Sequence, residues 1–163
     1  MAGRPQLVGA SAAIFGVLID QAHKLWMLGP FDIAAKARVA LAPFLDLVLV
    51  WNTGISYGLL SQHGDLGRWL LVALGLAGAL LFSWWLRATR GMLAALSLGL
   101  VIGGALSNVI DRLIHGAVAD FFLFHAGRFE WYIFNLADVW IVAGAIGLAL
   151  AWATERPEIA TEA

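Results

Sequence analysis

Long apolar stretches alternate with shorter polar segments along this chain of 163 residues. Four of the stretches approach the roughly 20 residues that an α-helix needs to cross a hydrocarbon core of about 30 Å. They cover residues 7–28, 69–86, 92–110 and 135–154, and the second and third contain no charged residue. The pattern predicts an all-α membrane protein whose four transmembrane helices form a single domain over residues 1–163.

The first stretch also resembles a secretory signal peptide, because Arg4 precedes an apolar run. A signal peptide would end in a small-x-small cleavage site, whereas this chain continues with Asp20-Gln-Ala-His-Lys24. We therefore interpret the first stretch as an uncleaved anchor. Tryptophans near the expected span ends fit the same picture, since amphipathic rings favour the membrane interface; they are Trp26, Trp69, Trp84, Trp85, Trp140 and Trp152.

The two outer loops, residues 29–68 and 111–134, are long enough to hold structure of their own. In the first, Phe44–Trp51 is rich in β-forming residues and partly alternating. In the second, His125-Ala-Gly-Arg128 is typical of a hairpin turn. We expect a small extramembrane β-sheet formed by both loops, and disorder in the tail after Glu155.

Composition supports the bilayer as solvent and narrows the chemistry. The chain is 61% hydrophobic and 13% charged, which would expose too much apolar surface in water. Its net charge of −1 gives no reason to expect nucleic acid as a partner. The absence of cysteine excludes disulfides, thiolate nucleophiles and cysteine-ligated metals.

Counting the spans places the polar residues together. Because spans alternate in direction, the end of span one, the end of span three, the start of span four and both long loops share one membrane face. Nine polar or charged residues of the span ends and the two loops fall on that face, namely Asp20, Lys24, Asn52, Asn108, Asp111, Arg112, Asp120, Asn135 and Asp138. Basic residues number four on the opposite side and six on this one, so the positive-inside rule does not orient the chain.

A carboxylate at the edge of the hydrocarbon costs several kcal/mol unless it is paired. Asp20 and Lys24 are i,i+4 neighbours that can pair, and Asp111 can pair with Arg112 or with a residue one turn away. We expect these residues to have structural or supporting roles.

Asp120 and Asp138 lack such partners. Asp120 lies in the apolar, strand-like Val118-Ala-Asp-Phe-Phe122, and Asp138 lies at the mouth of span four. If the last loop folds back, the two carboxyls meet in an apolar site, where one of them stays protonated. One charged and one neutral carboxyl is what peptide hydrolysis by an activated water requires. From spacing alone, a structural pair or a proton relay stays open.

The residues also allow three other functions, which fit the pattern less well. A carboxylate-driven proton or ion transporter is the main alternative, although transport favours polar residues near the midplane and broken helices. The segment 54–58 (GISYG) fits G-x-S-x-G formally, but a nucleophile elbow needs an α/β sheet. A haem or metal site would use histidines of the polar face, yet no H-E-x-x-H occurs among them; they are His23, His63, His115 and His125.

The motifs together resemble bacterial lipoprotein signal peptidase, or signal peptidase II, an aspartic protease of the bacterial plasma membrane. Five segments match in order and extend from span one to span four. They are residues 20–24 (DQAHK), 52–58 (NTGISYG), 103–112 (GGALSNVIDR), 116–121 (GAVADF) and 134–138 (FNLAD). The sequence departs from the usual pattern at Ser56 and Tyr57, where alanine and phenylalanine are common.

The resemblance implies roles for individual residues. Asp120 and Asp138 would be the catalytic dyad, Asn108 and Arg112 would contact substrate, and Asn52 would belong to a mobile flap. Further residues would bind substrate or shape the site, namely Gly54, Asp20, Lys24, Asp111, Asn135, Gly104 and Val118. Small residues around Gly103 and Gly104 would leave room for lipid.

The resemblance also implies the biology. The substrate would be a prolipoprotein whose cysteine already carries diacylglycerol, and cleavage just before that cysteine would need no cofactor and no metal. Both termini would be cytoplasmic and the site would face the outer leaflet. Membrane lipid would be a partner, and the cyclic-peptide inhibitors of the family would bind.

Overall fold

The computed structural model describes residues 3–54 and 65–154. The described residues form a mostly helical protein with one small antiparallel sheet. In chain order the elements are α1 (Arg4–Leu28), α2 (Ile33–Lys36), β1 (Val39–Ala42), β2 (Leu45–Asn52), α3 (Asp65–Ala88), α4 (Met92–His115), β3 (Val118–Ala126), β4 (Phe129–Phe134) and α5 (Leu136–Thr154).

Helix α4 is the centre of the bundle, and α1, α3 and α5 pack against it. Of its most apolar 18-residue window, 56% is buried inside the protein, against 22% for α3 and for α5. The outer helices expose large apolar side chains such as Leu80 and Trp152, which are 72% and 84% exposed. In water such surfaces would be unfavourable, so they are suited to lipid.

Three helices in the described part of the chain are long and apolar enough to cross a membrane: Leu66–Ala88, Met92–His115 and Leu136–Thr154. Helix α1 has 25 residues but contains the buried pair Asp20 and Lys24, and it is not among these three. The number of four spans therefore remains a prediction. The long helices agree with the predicted stretches, but α3 begins at residue 65 and α4 extends to His115, so both helices reach into the predicted loops.

Glycines allow α4 to approach its neighbours closely. A Cβ added to Gly103 would lie 2.6 Å from the Ala13 carbonyl oxygen on α1, and one added to Gly104 would overlap the Ala137 carbonyl oxygen on α5. Backbone of the neighbouring helices thus occupies the space beside both glycines. Close helix packing therefore accounts for the two glycines themselves. The expectation of room for lipid concerns the small residues around them and stays a prediction.

The sheet has the order β1-β2-β3-β4 with every neighbouring pair antiparallel. The predicted strand over Phe44–Trp51 is confirmed as β2, and the predicted turn is confirmed between β3 and β4, where Gly127 has a φ of 60°. The short elements α2 and β1 were not predicted. Strand β3 lies inside the sheet and is buried along its first half, which carries Asp120.

Candidate active site

Asp120 lies on β3, opposite Val50 of β2, and is 2% exposed. Each of its carboxyl oxygens accepts a hydrogen bond from an asparagine amide. Asn135 Nδ2 donates to Oδ1 at 2.6 Å, and Asn52 Nδ2 donates to Oδ2 at 3.1 Å. Asn52 ends β2, so the strand pairing itself brings this donor beside the carboxyl.

Asp138 lies in the first turn of α5 and is held by a reciprocal capping arrangement. The Asp138 backbone N–H donates to Asn135 Oδ1 at 3.1 Å, and the Asn135 backbone N–H donates to Asp138 Oδ2 at 3.3 Å. This is the geometry of a capping box, with asparagine as N-cap and aspartate three residues later. Asn108 Nδ2 of α4 donates to the remaining oxygen, Asp138 Oδ1, at 3.1 Å.

Three asparagines therefore connect the two aspartates, and we call Asn52, Asn135 and Asn108 the asparagine chain. Asn135 is the central member of this chain, because its Nδ2 donates both to Asp120 Oδ1 and, at 3.3 Å, to Asn108 Oδ1. It is fully buried. Two backbone N–H groups fix the amide orientations: Asp138 N–H binds Asn135 Oδ1, and Gly54 N–H binds Asn52 Oδ1 at 3.0 Å.

Among the described residues, neither Asp120 nor Asp138 forms an ion pair. Burial, and then the negative charge of Asp138, raise the pKa of Asp120 from 3.8 to about 7, although the amides of Asn135 and Asn52 act in the opposite direction. Two carboxyls that cannot easily ionise together can hold one proton between them near neutral pH.

Both aspartates line one cavity of about 410 Å³ between α3, α4, α5 and the sheet. Its polar end contains Asp120, Asp138 and the asparagine chain. Its other end is apolar and lies between the helices, where it is lined by Leu71, Leu74, Ala105, Val109, Ile141 and Val142. A molecule with a polar reacting group and an apolar body would fit such a cavity.

Arg112, Gly54 and Val118 also line this cavity. The Arg112 guanidinium donates to two carbonyl oxygens, those of Gly54 at 2.9 Å and Asn108 at 3.2 Å. It therefore ties the chain after β2 to α4 without pairing with a carboxylate. Arg112 was one of two partners considered for Asp111 from the sequence; in the structure Asp111 pairs with Lys24 of α1.

A second group of polar side chains lies between α1 and α4, and we call it the structural layer: Asp20, Gln21, Lys24, Ser107 and Asp111. Lys24 Nζ lies 2.6 Å from Asp20 Oδ2 and 2.8 Å from Asp111 Oδ2. Ser107 Oγ donates to Asp20 Oδ2 at 2.6 Å, and Gln21 Nε2 donates to Asp111 Oδ1 at 2.8 Å. The buried charges are thus paired and hydrogen-bonded.

The structural layer holds the two elements that carry the dyad. Asp20 Oδ1 accepts the backbone N–H of Ala137 at 2.9 Å, and Asp111 Oδ2 accepts that of Ala119 at 3.1 Å. Ala137 immediately precedes Asp138, and Ala119 immediately precedes Asp120. Each ion-paired aspartate therefore fixes the backbone beside one unpaired aspartate.

Gln21 and Ser107 were not identified from the sequence. The signal was present on α4, where Ser107 and Asp111 are i,i+4 neighbours and so are Asn108 and Arg112. One residue is a rotation of about 100° on a helix, so the two pairs face different directions. The first pair faces α1 and the second faces the cavity.

A model of the family described as signal peptidase (SPase) II matches residues 12–154. The chain belongs to the signal peptidase II family. It is 52% identical over 146 residues to a lipoprotein signal peptidase of Beijerinckia indica subsp. indica, covering 90% of this chain and 87% of the relative. It is 46% identical over 159 residues to one of a Methylobacterium species, covering 96% of each.

Solved structures of two bacterial membrane enzymes, determined by the in meso method, share the fold of this chain. One, at 2.3 Å resolution, superposes with a TM-score of 0.77 at 24% identity and covers 92% of each chain. The other, at 1.9 Å resolution, gives a TM-score of 0.72 at 21% identity and covers 91% of this chain and 94% of that chain. The arrangement of helices and sheet therefore recurs in membrane enzymes.

Several sequence predictions concern residues outside the described ranges 3–54 and 65–154. They concern the G-x-S-x-G segment after Gly54, the packing of Ser56 and Tyr57, His63 and the tail after Glu155. The other three histidines lie apart from the dyad: His23 stacks on Phe122, His115 contacts Trp51, and His125 Nε2 lies 3.1 Å from Asp46 Oδ2.

Proposed function

We propose that this chain is a membrane aspartic endopeptidase that removes signal peptides from diacylglyceryl-modified prolipoproteins, cutting just before the lipidated cysteine. Family membership supports a peptidase. The observation that carries the aspartic mechanism is the dyad itself, Asp120 and Asp138, which come from different elements, lack cationic partners among the described residues, and share Asn135 at the polar end of an apolar cavity.

The reaction follows from ordinary carboxyl chemistry. One carboxylate removes a proton from water as the water oxygen attacks the scissile carbonyl carbon, while the protonated partner donates to the carbonyl oxygen. The resulting tetrahedral intermediate then loses its amine as the nitrogen accepts a proton. The low exposure of Asp120 to water, 2%, strengthens these electrostatic interactions.

The shape of the cavity supports a lipid-bearing substrate. The apolar end between α3, α4 and α5 is suited to acyl chains, and the polar end to the peptide bond next to the lipidated cysteine. Strand β4 lies at the end of the strand order, and its outer edge offers backbone groups to an extended peptide. Arg112 and Asn108 line the same space and are proposed substrate contacts, as are Gly54 and Val118.

We further propose that α1 crosses the membrane with α3, α4 and α5, which gives four spans in one domain. Packing of α1 along α4 and its length of 25 residues support this. Parity then puts the dyad and the sheet on one side and both termini on the other. In the bacterial inner membrane, the dyad would face the outer leaflet and the termini the cytoplasm.

Transport of protons or ions is less well supported. The dyad lies in the first turn of α5 and on a strand outside the helices, while the centres of α3 and α5 carry no charge. A transporter would place such groups near the midplane of the membrane.

The test is cleavage of a synthetic diacylated prolipoprotein by the purified protein in detergent. Asp120→Asn and Asp138→Asn should each remove cleavage while the protein remains folded, because each loses one of the two proton-transfer groups. Asp32→Asn is the matched control, since it makes the same change on an exposed N-cap and should cleave normally. Full activity in either dyad variant would exclude the aspartic mechanism.

A further inference from the structure

The two carboxyls of the dyad have different surroundings. Asp138 accepts a backbone N–H at the N-terminus of α5, where the helix dipole favours a negative charge. Asp120 lies on an inner strand, accepts hydrogen bonds only from neutral side-chain amides among the described residues, and is less exposed to solvent. A neutral acid is therefore better accommodated at Asp120, and a carboxylate at Asp138.

The charged groups around the dyad do not reverse this difference. Arg112 from α4 and Lys24 from α1 are the nearest cations among the described residues, and both are engaged elsewhere, with carbonyl oxygens and with the structural layer. The acidic groups of that layer, Asp20 and Asp111, are neutralised in part by Lys24. Tyr132 of β4 lines the cavity as well.

We propose that Asp120 carries the single proton of the dyad and is the general acid, that Asp138 is the base that activates water, and that Asn52 and Asn108 each tune one of them. The inference rests on the proposed peptidase function. Asn52 and Asn108 act here as positioning residues, because they donate to Asp120 and Asp138 respectively, and for Asn108 this role is separate from its proposed substrate contact. The pKa of about 7 for Asp120 agrees with a proton at that site near neutral pH.

The proton balance closes over one turnover. Asp138 takes a proton from water as the new C–O bond forms, and Asp120 gives its proton to the carbonyl oxygen. As the C–N bond breaks, Asp138 returns its proton to the leaving nitrogen, and Asp120 recovers one from a hydroxyl of the intermediate. The products are an acid and an amine, and the dyad ends in its starting state.

The asparagine chain makes the two pKa values separately adjustable. In a pH–rate profile, the acidic limb reports ionisation of the base and the alkaline limb reports ionisation of the acid. Removing a donor from a carboxylate raises its pKa, and a hydrogen bond to a charged group corresponds to about one pH unit. A change at Asn52 should thus move one limb and a change at Asn108 the other.

Asn52→Ser is the informative variant at the first position. A serine hydroxyl can keep the turn to the Gly54 N–H, as Asn52 Oδ1 does now, but is too short to replace the amide donor to Asp120. We expect the alkaline limb of the cleavage profile to move up by about one pH unit, with the acidic limb unchanged. Asn52→Thr repeats the test with a residue that strands favour.

Asn108→Ala is the matched variant on the other carboxyl. It removes the donor to Asp138 Oδ1, while Asn135 keeps its bond to Asp120. The acidic limb should move up by about one pH unit and the alkaline limb should stay in place. The opposite pattern of limbs would reverse the assignment, and equal movement of both limbs, or of neither, would overturn it.

A readout that does not depend on turnover covers poorly active variants. The infrared C=O stretch of a protonated carboxyl should titrate in the wild type, and its midpoint should rise in Asn52→Ser and stay in place in Asn108→Ala. A midpoint that responds only to Asn108→Ala would overturn the proposal. Failure of the wild type to cleave any diacylated prolipoprotein would instead refute the proposed function, and the infrared titration would still test where the proton lies.

Discussion

Asp120 is the position at which catalysis and folding should conflict most directly. Burial and the charge of Asp138 raise its pKa in the folded protein to about 7, whereas an unfolded chain has an aspartate pKa near 3.9. The folded value is the higher one. The contribution of this group to stability is therefore fully present below about pH 4 and is lost as pH rises through about 7.

The size of the effect follows from these two values. A difference of about three pH units corresponds to about 4 kcal/mol at alkaline pH. Asp120→Asn is neutral at every pH and avoids that loss. Its new NH₂ group must face one of the present donors, Asn52 or Asn135, which costs about 1–3 kcal/mol at every pH.

The variant should therefore be inactive yet more stable than the wild type at alkaline pH. Relative to the wild type, it should gain about 4 kcal/mol between about pH 4 and about pH 8.5, or about 10 °C in the unfolding midpoint. The chain contains eight tryptophans, so intrinsic fluorescence during heating in detergent measures this midpoint directly. The same difference between variant and wild type at both pH values would refute the reasoning.

Two further variants test the packing around the site. Gly104→Ala places a methyl group on the Ala137 carbonyl oxygen and should move the start of α5, so we expect cleavage to fall about 100-fold. The control Gly78→Ala, at a position with open space around it, should cleave normally. Normal cleavage by Gly104→Ala would show that α5 is not held this closely. Lys24→Met leaves two buried carboxylates without a cation and should destabilise the fold by about 3–5 kcal/mol, seen as a lower unfolding midpoint; an unchanged midpoint would contradict the ion pairing.

Span parity was enough to predict which polar residues converge. Apolar length alone marked the helices, and alternation of direction put Asn52, Asp120 and Asp138 on one face before any contact was known. The structure places these three side chains around one cavity. The same pattern does not settle whether α1 is a span, because Asp20 and Lys24 lower its hydropathy. In the structure these two charges are paired with each other, and Lys24 also pairs with Asp111 of α4.

Spacing alone separated Asp20 and Asp111 from Asp120 and Asp138, but it did not predict that Arg112 faces the cavity with the second pair. That direction depends on the rotation of α4 relative to α1, which is set by close contacts such as Gly103 against the Ala13 backbone. Sequence periodicity shows that Asp111 and Arg112 face different directions but not which helix each one meets. The sequence therefore left open whether Asp111 pairs with Arg112. In the structure Asp111 pairs with Lys24.

The four aspartates thus have two different surroundings. Asp20 and Asp111 lie beside Lys24, whereas Asp120 and Asp138 form no ion pair among the described residues. Lys24 pairs with Asp20 and Asp111, and these two carboxyls accept the backbone N–H groups of Ala137 and Ala119. The same lysine placed beside the dyad would favour two carboxylates there and remove the acid that peptide hydrolysis needs. Amide donors can orient a carboxyl without adding a charge. The asparagine chain therefore suits the dyad for the same reason that the lysine suits the structural layer.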